Sequence, residues 1–138
     1  MKTINFLSLL AVVVVLSALA PTFRSAQDTS NGTSHAKMAN PVVKPNPDKM
    51  ARAKEIFKID CVMCHGETGN GKTDLARDMN LNLKDWTDPT TFGSKTDGQI
   101  FDIIRTGMDK MPPESEGRAP DEVLWHLVLH VRSIAAAK

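Results

Sequence analysis

The chain has 138 residues, 41% hydrophobic and 24% charged, with a formal net charge of +1 and two cysteines. This length accommodates one small domain, two cysteines cannot build a disulfide framework, and a near-neutral balance without a basic patch excludes a nucleic-acid footprint. The charge is unevenly placed: residues 1–49 carry five basic against two acidic side chains, while from residue 50 onward 12 basic groups face 14 acidic ones, a net of −2.

Residues 4–20 have no charged side chain and follow Lys2, which is the layout of a signal peptide and keeps residues 1–23 out of the fold. Ala18-Leu19-Ala20 meets the small-residue rule for cleavage, but Pro21 directly after it is unfavourable. Retention as a membrane anchor is the alternative, because the uncharged span from residue 4 to Phe23, at about 1.5 Å per residue, reaches about 30 Å, enough for a bilayer core. Both outcomes place the remaining chain outside the cytoplasm, in the periplasm, either soluble or tethered to the membrane through residues 4–23. Residues 24–45 follow as a disordered linker, rich in Ser, Thr, Asn, Gly and Pro and without an apolar period.

A helix is expected to start at residue 46. Asn46 suits the N-cap, Pro47 the first helical position, and Met50, Ala53, Phe57 and Cys61 recur at intervals of three and four along one face. The stripe runs into Cys61-Val62-Met63-Cys64-His65, two thiols three positions apart with an adjacent imidazole, the attachment signature of a c-type haem. In that use each thiol adds to one vinyl group of the porphyrin and His65 becomes the proximal iron ligand. Two other uses of a C-x-x-C pair remain. A zinc half-site would need ligands from among His35, His65, His126, His130 and the carboxylates, which repeat no finger spacing. A redox dithiol would expect a strand before the motif and a βαβ unit around it, whereas the pattern here is helical.

Farther along, a short helix is expected around residues 75–81. A longer one starts at the capping box of Thr96 and Gln99, buries Ile100, Ile103 and Ile104, and stops at Gly107. It delivers the chain to Met108-Asp109-Lys110-Met111-Pro112-Pro113, a stiff loop in which proline holds Met111 extended and suited to presenting a thioether. Met111 is the candidate distal iron ligand. Met108, near the helix end, is the alternative, and packing filler is the ordinary use of either. The last helix starts near Pro120, places Asp121 and Glu122 at the positive end of its dipole, and carries Val123, Leu127, Val131 and Ile134 along one side, widened by Leu124, Val128 and Ala135. Such a face needs a partner, and the first helix is the expected one. His126 and His130 are four apart and share a face; a metal site there lacks a third ligand, so they are expected to meet solvent or the first helix. No segment reads as a strand.

Cys61 to Gly66, Thr96-Asp97-Gly98-Gln99-Ile100-Phe101, Arg105-Thr106-Gly107, Met111-Pro112 and the run from Trp125 to Ile134 together resemble the haem, middle-helix, distal-loop and last-helix blocks of bacterial class I c-type cytochromes. The resemblance covers residues 46–138. It implies an all-α fold, a small cytochrome c-like domain of three to four helices wrapped around one covalently bound haem c, with thioethers at Cys61 and Cys64 and iron ligands at His65 and Met111. Phe57, Phe101, Leu83 and Trp86 are candidates for the pocket wall. Trp86 or Arg77 could hydrogen-bond a propionate, against their ordinary roles as core aromatic and solvated charge. Two positions depart from the family. His130 stands where an aromatic residue often lies two before the last-helix arginine, which alters the contact between first and last helices. Lys72-Thr73-Asp74 stands where a proline often follows the haem motif, leaving open which carbonyl takes the His65 ring N–H.

An iron with both axial positions filled has no open site for substrate, so the expected function is one-electron carriage in an extracytoplasmic chain rather than enzymatic turnover. The alternatives are a haem protein with an open distal site that binds gas or reacts with peroxide, and a small haem subunit of a larger oxidoreductase complex. The expected partners are a redox donor and a redox acceptor, docked weakly and transiently. Because a domain this small has a modest core, the porphyrin is expected to supply missing apolar bulk, leaving the apo-chain poorly folded.

Overall fold

The computed structural model describes residues 34–137; the signal or anchor segment expected at residues 1–23 lies outside them. Among the described residues no helix is long and apolar enough to cross a membrane.

Helix α1, Pro47–Ile56, starts where local chemistry dictates: Asn46 has extended backbone angles and its side-chain oxygen accepts the N–H groups of Asp48 and Lys49 at 2.9 and 3.1 Å. Pro47 occupies a first-turn position whose N–H would have no partner anyway. A π-helical turn, Phe57–Cys61, follows and closes with a bond from the Val62 N–H to the Phe57 carbonyl. Helix α2, Val62–His65, carries the rest of the cysteine motif and ends at Gly66, φ 77°. Helix α3, Asp74–Asp78, is capped by Thr73, whose hydroxyl accepts the Ala76 N–H at 3.0 Å. It begins one residue before the expected 75–81 element and stops three residues earlier. Helix α4, Asp97–Thr106, shows the expected Thr96/Gln99 capping box and ends at Gly107. Helix α5, Asp121–Ala136, follows Pro120 with Asp121 and Glu122 in its first turn. Among the described residues there is no strand, only an isolated pairing of Met108 with Met111, so the all-α expectation holds.

The core lies where α1, α4 and α5 meet. Ala53, Ile56 and Phe57, Ile100, Phe101 and Ile104, and Leu124, Leu127, Val128 and Val131 are all buried there. α1 and α5 form the most extensive helix pair, as the stripe on the last helix required. Each fully buried large side chain, such as Ile56, Phe101 or Leu127, contributes about 1.5–3 kcal/mol by leaving water. Ile103, expected in the core, is only half-buried. It flanks the stripe that Ile100 and Ile104 present, and Phe101 takes the adjacent core position instead.

The linker expected to be disordered through residue 45 is a correction for its second half. The His35 ring lies between Phe101 and Trp125, with centroids at 4.4 and 5.6 Å. Asp102 takes both its Nδ1 at 2.8 Å and its backbone N–H at 2.9 Å. Thr96 donates to the Ala36 carbonyl, the Gly98 N–H to the Met38 carbonyl, and Asn40 to the Trp125 carbonyl. The close approach is possible because residue 98 is glycine: a Cβ there would sit 1.6 Å from the His35 carbonyl oxygen. Polar composition predicted disorder, but one ring and one carboxylate suffice to pin the segment.

Candidate functional site

The π turn and α2 position the cysteine motif. Cys61, Cys64 and His65 stand at helical spacings of three and four, so they share one side of one turn. The carbonyls at the end of α2 are satisfied locally: Val62 takes the Gly66 N–H at 2.8 Å, His65 the Gly71 N–H at 2.9 Å, and Cys64 the Thr73 hydroxyl at 3.2 Å. The motif is therefore held at its exit by its own loop. Trp86 returns to the same place, its N–H donating to the Gly69 carbonyl at 2.8 Å and its indole stacked on the His65 ring with centroids 4.5 Å apart and planes 25° apart. The Phe57 ring stands 6.3 Å from Trp86 and meets the His130 ring edge-on at 4.9 Å. His130 thus supplies the ring contact between first and last helices that the departure from the family pattern had left in doubt.

The electrostatics at Cys61 do not suit the other uses of C-x-x-C. Both cysteines are free and partly buried. Burial, with Asp60 and Glu114 close by, raises the Cys61 thiol to about 12. A redox dithiol or zinc ligand needs the opposite, a stabilised thiolate. No group of three or more His, Cys, Asp or Glu side chains among the described residues could hold a metal ion. Burial lowers the pKa of His65, which keeps its ring neutral and able to donate to a metal. Its buried Nδ1 has no hydrogen-bond partner. Two unbridged thiols and a neutral imidazole on one turn therefore fit a thioether-bound porphyrin with an imidazole ligand.

The segment carrying Met111 is a tight hairpin. Met108 and Met111 exchange two backbone hydrogen bonds at 3.1 and 2.9 Å, and Asp109 turns the chain at φ 54°. Met111 packs against the core to which Cys61 also packs, whereas Met108 is 55% exposed. Arg105, at the end of α4, holds the chain beyond the hairpin. Its guanidinium donates to the Glu114 and Ala119 carbonyls and to Asp121, at 2.7, 2.7 and 2.8 Å. Arg118 then pairs with Asp60 beside the cysteine motif and lies 3.4 Å from Glu114, and Lys110 donates to the Met79 carbonyl at 2.8 Å. These contacts tie the Met111 segment to the Cys61 and Met79 segments.

Other sequence candidates divide. Trp86 lies on His65 with Phe57 on the far side of the indole, and half-buried Leu83 packs beside Gly71. Phe101 belongs elsewhere, stacked on Trp125 at 4.3 Å and tilted against His35. Arg77, offered for a propionate, donates to Asp74 and to the Lys72 carbonyl. His126 is buried, accepts the Asn46 N–H on Nε2 at 3.0 Å and donates from Nδ1 to the Glu122 carbonyl. It joins the first and last helices, with both ring nitrogens engaged within the chain. The π turn, the Arg105 clamp and the Trp86 stack were not read from the sequence; the closely spaced Gly66, Gly69 and Gly71, all at positive φ, were the available sign of a loop folded back on the motif.

Against known protein families, residues 48–131 match cytochrome c oxidase, cbb3-type, subunit III. The cbb3-type cytochrome c oxidase subunit FixP of Bradyrhizobium diazoefficiens is 28% identical over 88 residues, which make up 64% of this chain and 28% of FixP. The chain therefore spans less than a third of the length of that relative.

Proposed function

We propose that this chain, which belongs to the cytochrome c oxidase cbb3-type subunit III family, attaches its haem through Cys61 and Cys64, ligates the iron with His65 and Met111, and passes single electrons between redox partners outside the cytoplasm. Haem c is the cofactor of this family and electron transfer its function. The observation that carries the residue assignment is the placement of Cys61, Cys64 and His65 on one side of a turn, with Cys61 and Met111 packed against one core.

When bound, the haem supplies an iron that cycles between Fe(III) and Fe(II). The remaining work belongs to the chain. Cys61 and Cys64 fix the group covalently, His65 presents a neutral nitrogen, and Met111 offers a soft thioether that favours the reduced iron and so a higher potential. The Met108–Met111 hairpin and the Arg105 clamp restrict the thioether, while Trp86 covers the His65 ring and Phe57 backs the indole. No turnover is expected of this domain by itself.

Ligand addition tests the assignment. The ferrous wild-type protein is expected to be low-spin and to refuse carbon monoxide at neutral pH, and Met111→Ala to bind it. Rapid CO binding by the wild type, or an unchanged spectrum in Met111→Ala, would favour the open-site reading of gas binding or peroxide chemistry. A second, compatible reading draws support from FixP, an oxidase subunit: the domain serves as a haem subunit of a larger oxidoreductase complex. Native electrophoresis of gently solubilised membranes with haem staining separates the two, since a free carrier runs at the mass of the single chain. In either arrangement contact with donor and acceptor is expected to be small and partly electrostatic.

A further inference from the structure

A histidine that ligates a metal almost always gives its other ring N–H to a carbonyl, a carboxylate or water, which fixes the ring plane and raises its basicity. His65 does not follow that pattern within this chain: Nδ1 is buried without a partner, and the nearby carbonyls of Cys64 and His65 already accept the Thr73 hydroxyl and the Gly71 N–H. What meets the ring is the indole of Trp86, stacked at 4.5 Å.

The indole is itself held from several directions. Its backbone N–H is fixed to the Gly69 carbonyl. Gly69 has φ +73°, and a Cβ there would fall 2.5 Å from the indole Cε3, so the ring occupies space that any other residue would fill. Behind it lie Phe57 and, at 5.6 Å, Phe92. Phe92 is anchored in turn by Arg132, whose guanidinium lies 5.5 Å from that ring, donates to the Phe92 carbonyl at 3.1 Å and pairs with Asp97 at 2.8 Å. A row of contacts thus runs from the last helix to the imidazole.

We propose that Trp86 is the positioning residue of His65, setting the plane of the imidazole by stacking where a hydrogen bond would ordinarily do so. With no acceptor on Nδ1 the imidazole is a weaker donor to the iron, which favours the reduced state. This rests on the reading of His65 as the iron ligand. An ordinary core tryptophan would give the same burial but would not govern the ring plane or the potential.

The experiment uses the haem-loaded protein. In the diamagnetic ferrous state, the His65 ring protons should carry the large ring-current shift of an axial ligand and show cross-relaxation to the Trp86 indole protons. In the ferric state, the order of the haem-methyl hyperfine shifts reports the imidazole plane. Trp86→Leu should change that order and lower the midpoint potential, so that the reduced-to-oxidised ratio at a fixed ambient potential falls several-fold, because solvent can now accept the Nδ1 hydrogen. Trp86→Phe should restore both, and Gly69→Ala, which pushes the indole aside, should move them as Trp86→Leu does. A Trp86→Leu protein that loses only stability, with methyl order and potential unchanged, overturns the proposal. Should that variant fail to fold, absence of His65–Trp86 cross-relaxation in the wild type overturns it equally. His65 protons with no haem shift at all would sink the haem-ligand reading, whereas haem-shifted protons without contact to Trp86 sink only the role given to Trp86.

Discussion

Around His65 the supports are rings, with Trp86 on its face and Phe57 and Phe92 behind. Around Met111 they are hydrogen bonds and charges, with a paired hairpin, the Arg105 guanidinium on two carbonyls and a carboxylate, and Lys110 on the Met79 carbonyl. The difference matters for how each side fails. Ring contacts are non-directional and weaken by degrees as volume is lost, so phenylalanine can stand in for tryptophan. A guanidinium serving three acceptors fails all at once, because one substitution leaves two part-buried carbonyls without a donor.

The largest expected effect removes what both sides close upon. Cys61→Ala with Cys64→Ala should abolish covalent haem and leave a chain with reduced helicity and no cooperative thermal transition, measured by circular dichroism. Full helicity with sharp melting would show that rings and hydrogen bonds hold the fold without the cofactor. Next in size is Arg105→Gln. Its cost should be about 2–3 kcal/mol in denaturant unfolding, since charge-assisted bonds to two part-buried carbonyls are lost, and the ferrous variant should admit carbon monoxide faster than the wild type because the chain behind Met111 is loosened. A stability change with no effect on ligand entry would separate the clamp from the iron site.

The smallest effect concerns the seam of α1 and α5, where His126 belongs to neither set of supports. Its Nε2 accepts the Asn46 N–H, and burial, with Lys49 nearby, depresses its pKa below the ordinary 6.5. Above that value folded and unfolded chains are both neutral at this residue and it adds no pH dependence. As pH falls through 6.5 the unfolded chain takes up a proton that the folded ring resists, so stability declines until the folded ring protonates too. The expected loss begins as the pH falls through about 6.5 and grows toward the depressed folded-state value. His65 and His130 are depressed as well, so the check is the difference in melting temperature between wild type and His126→Gln across that range. An equal pH slope in both proteins would remove His126 from the account.

Legibility followed the range of the interaction. Asn46 over Asp48 and Lys49, Thr96 with Gln99, and Gly107 at a helix end act within four residues, so the caps could be read directly. The cysteine motif was legible for the same reason, as three side chains on one turn. His130 against Phe57 and His35 against Asp102 could not be read, because their partners lie far along the chain. The expectation of disorder through residue 45 failed on that account: composition averages over residues, and a single ring seated between Phe101 and Trp125 outweighs the average.

From the amino-acid order alone came the main helices, their caps, the C-x-x-C-H turn and the preference for Met111 over Met108, since each follows from side-chain chemistry acting on its immediate backbone. Tertiary structure alone decided that Trp86 lies on His65, that Arg105 gathers the chain behind Met111 and that residues 34–42 are pinned to α4 and α5. Those contacts depend on which surfaces are brought together once the helices pack, and local periodicity does not specify that.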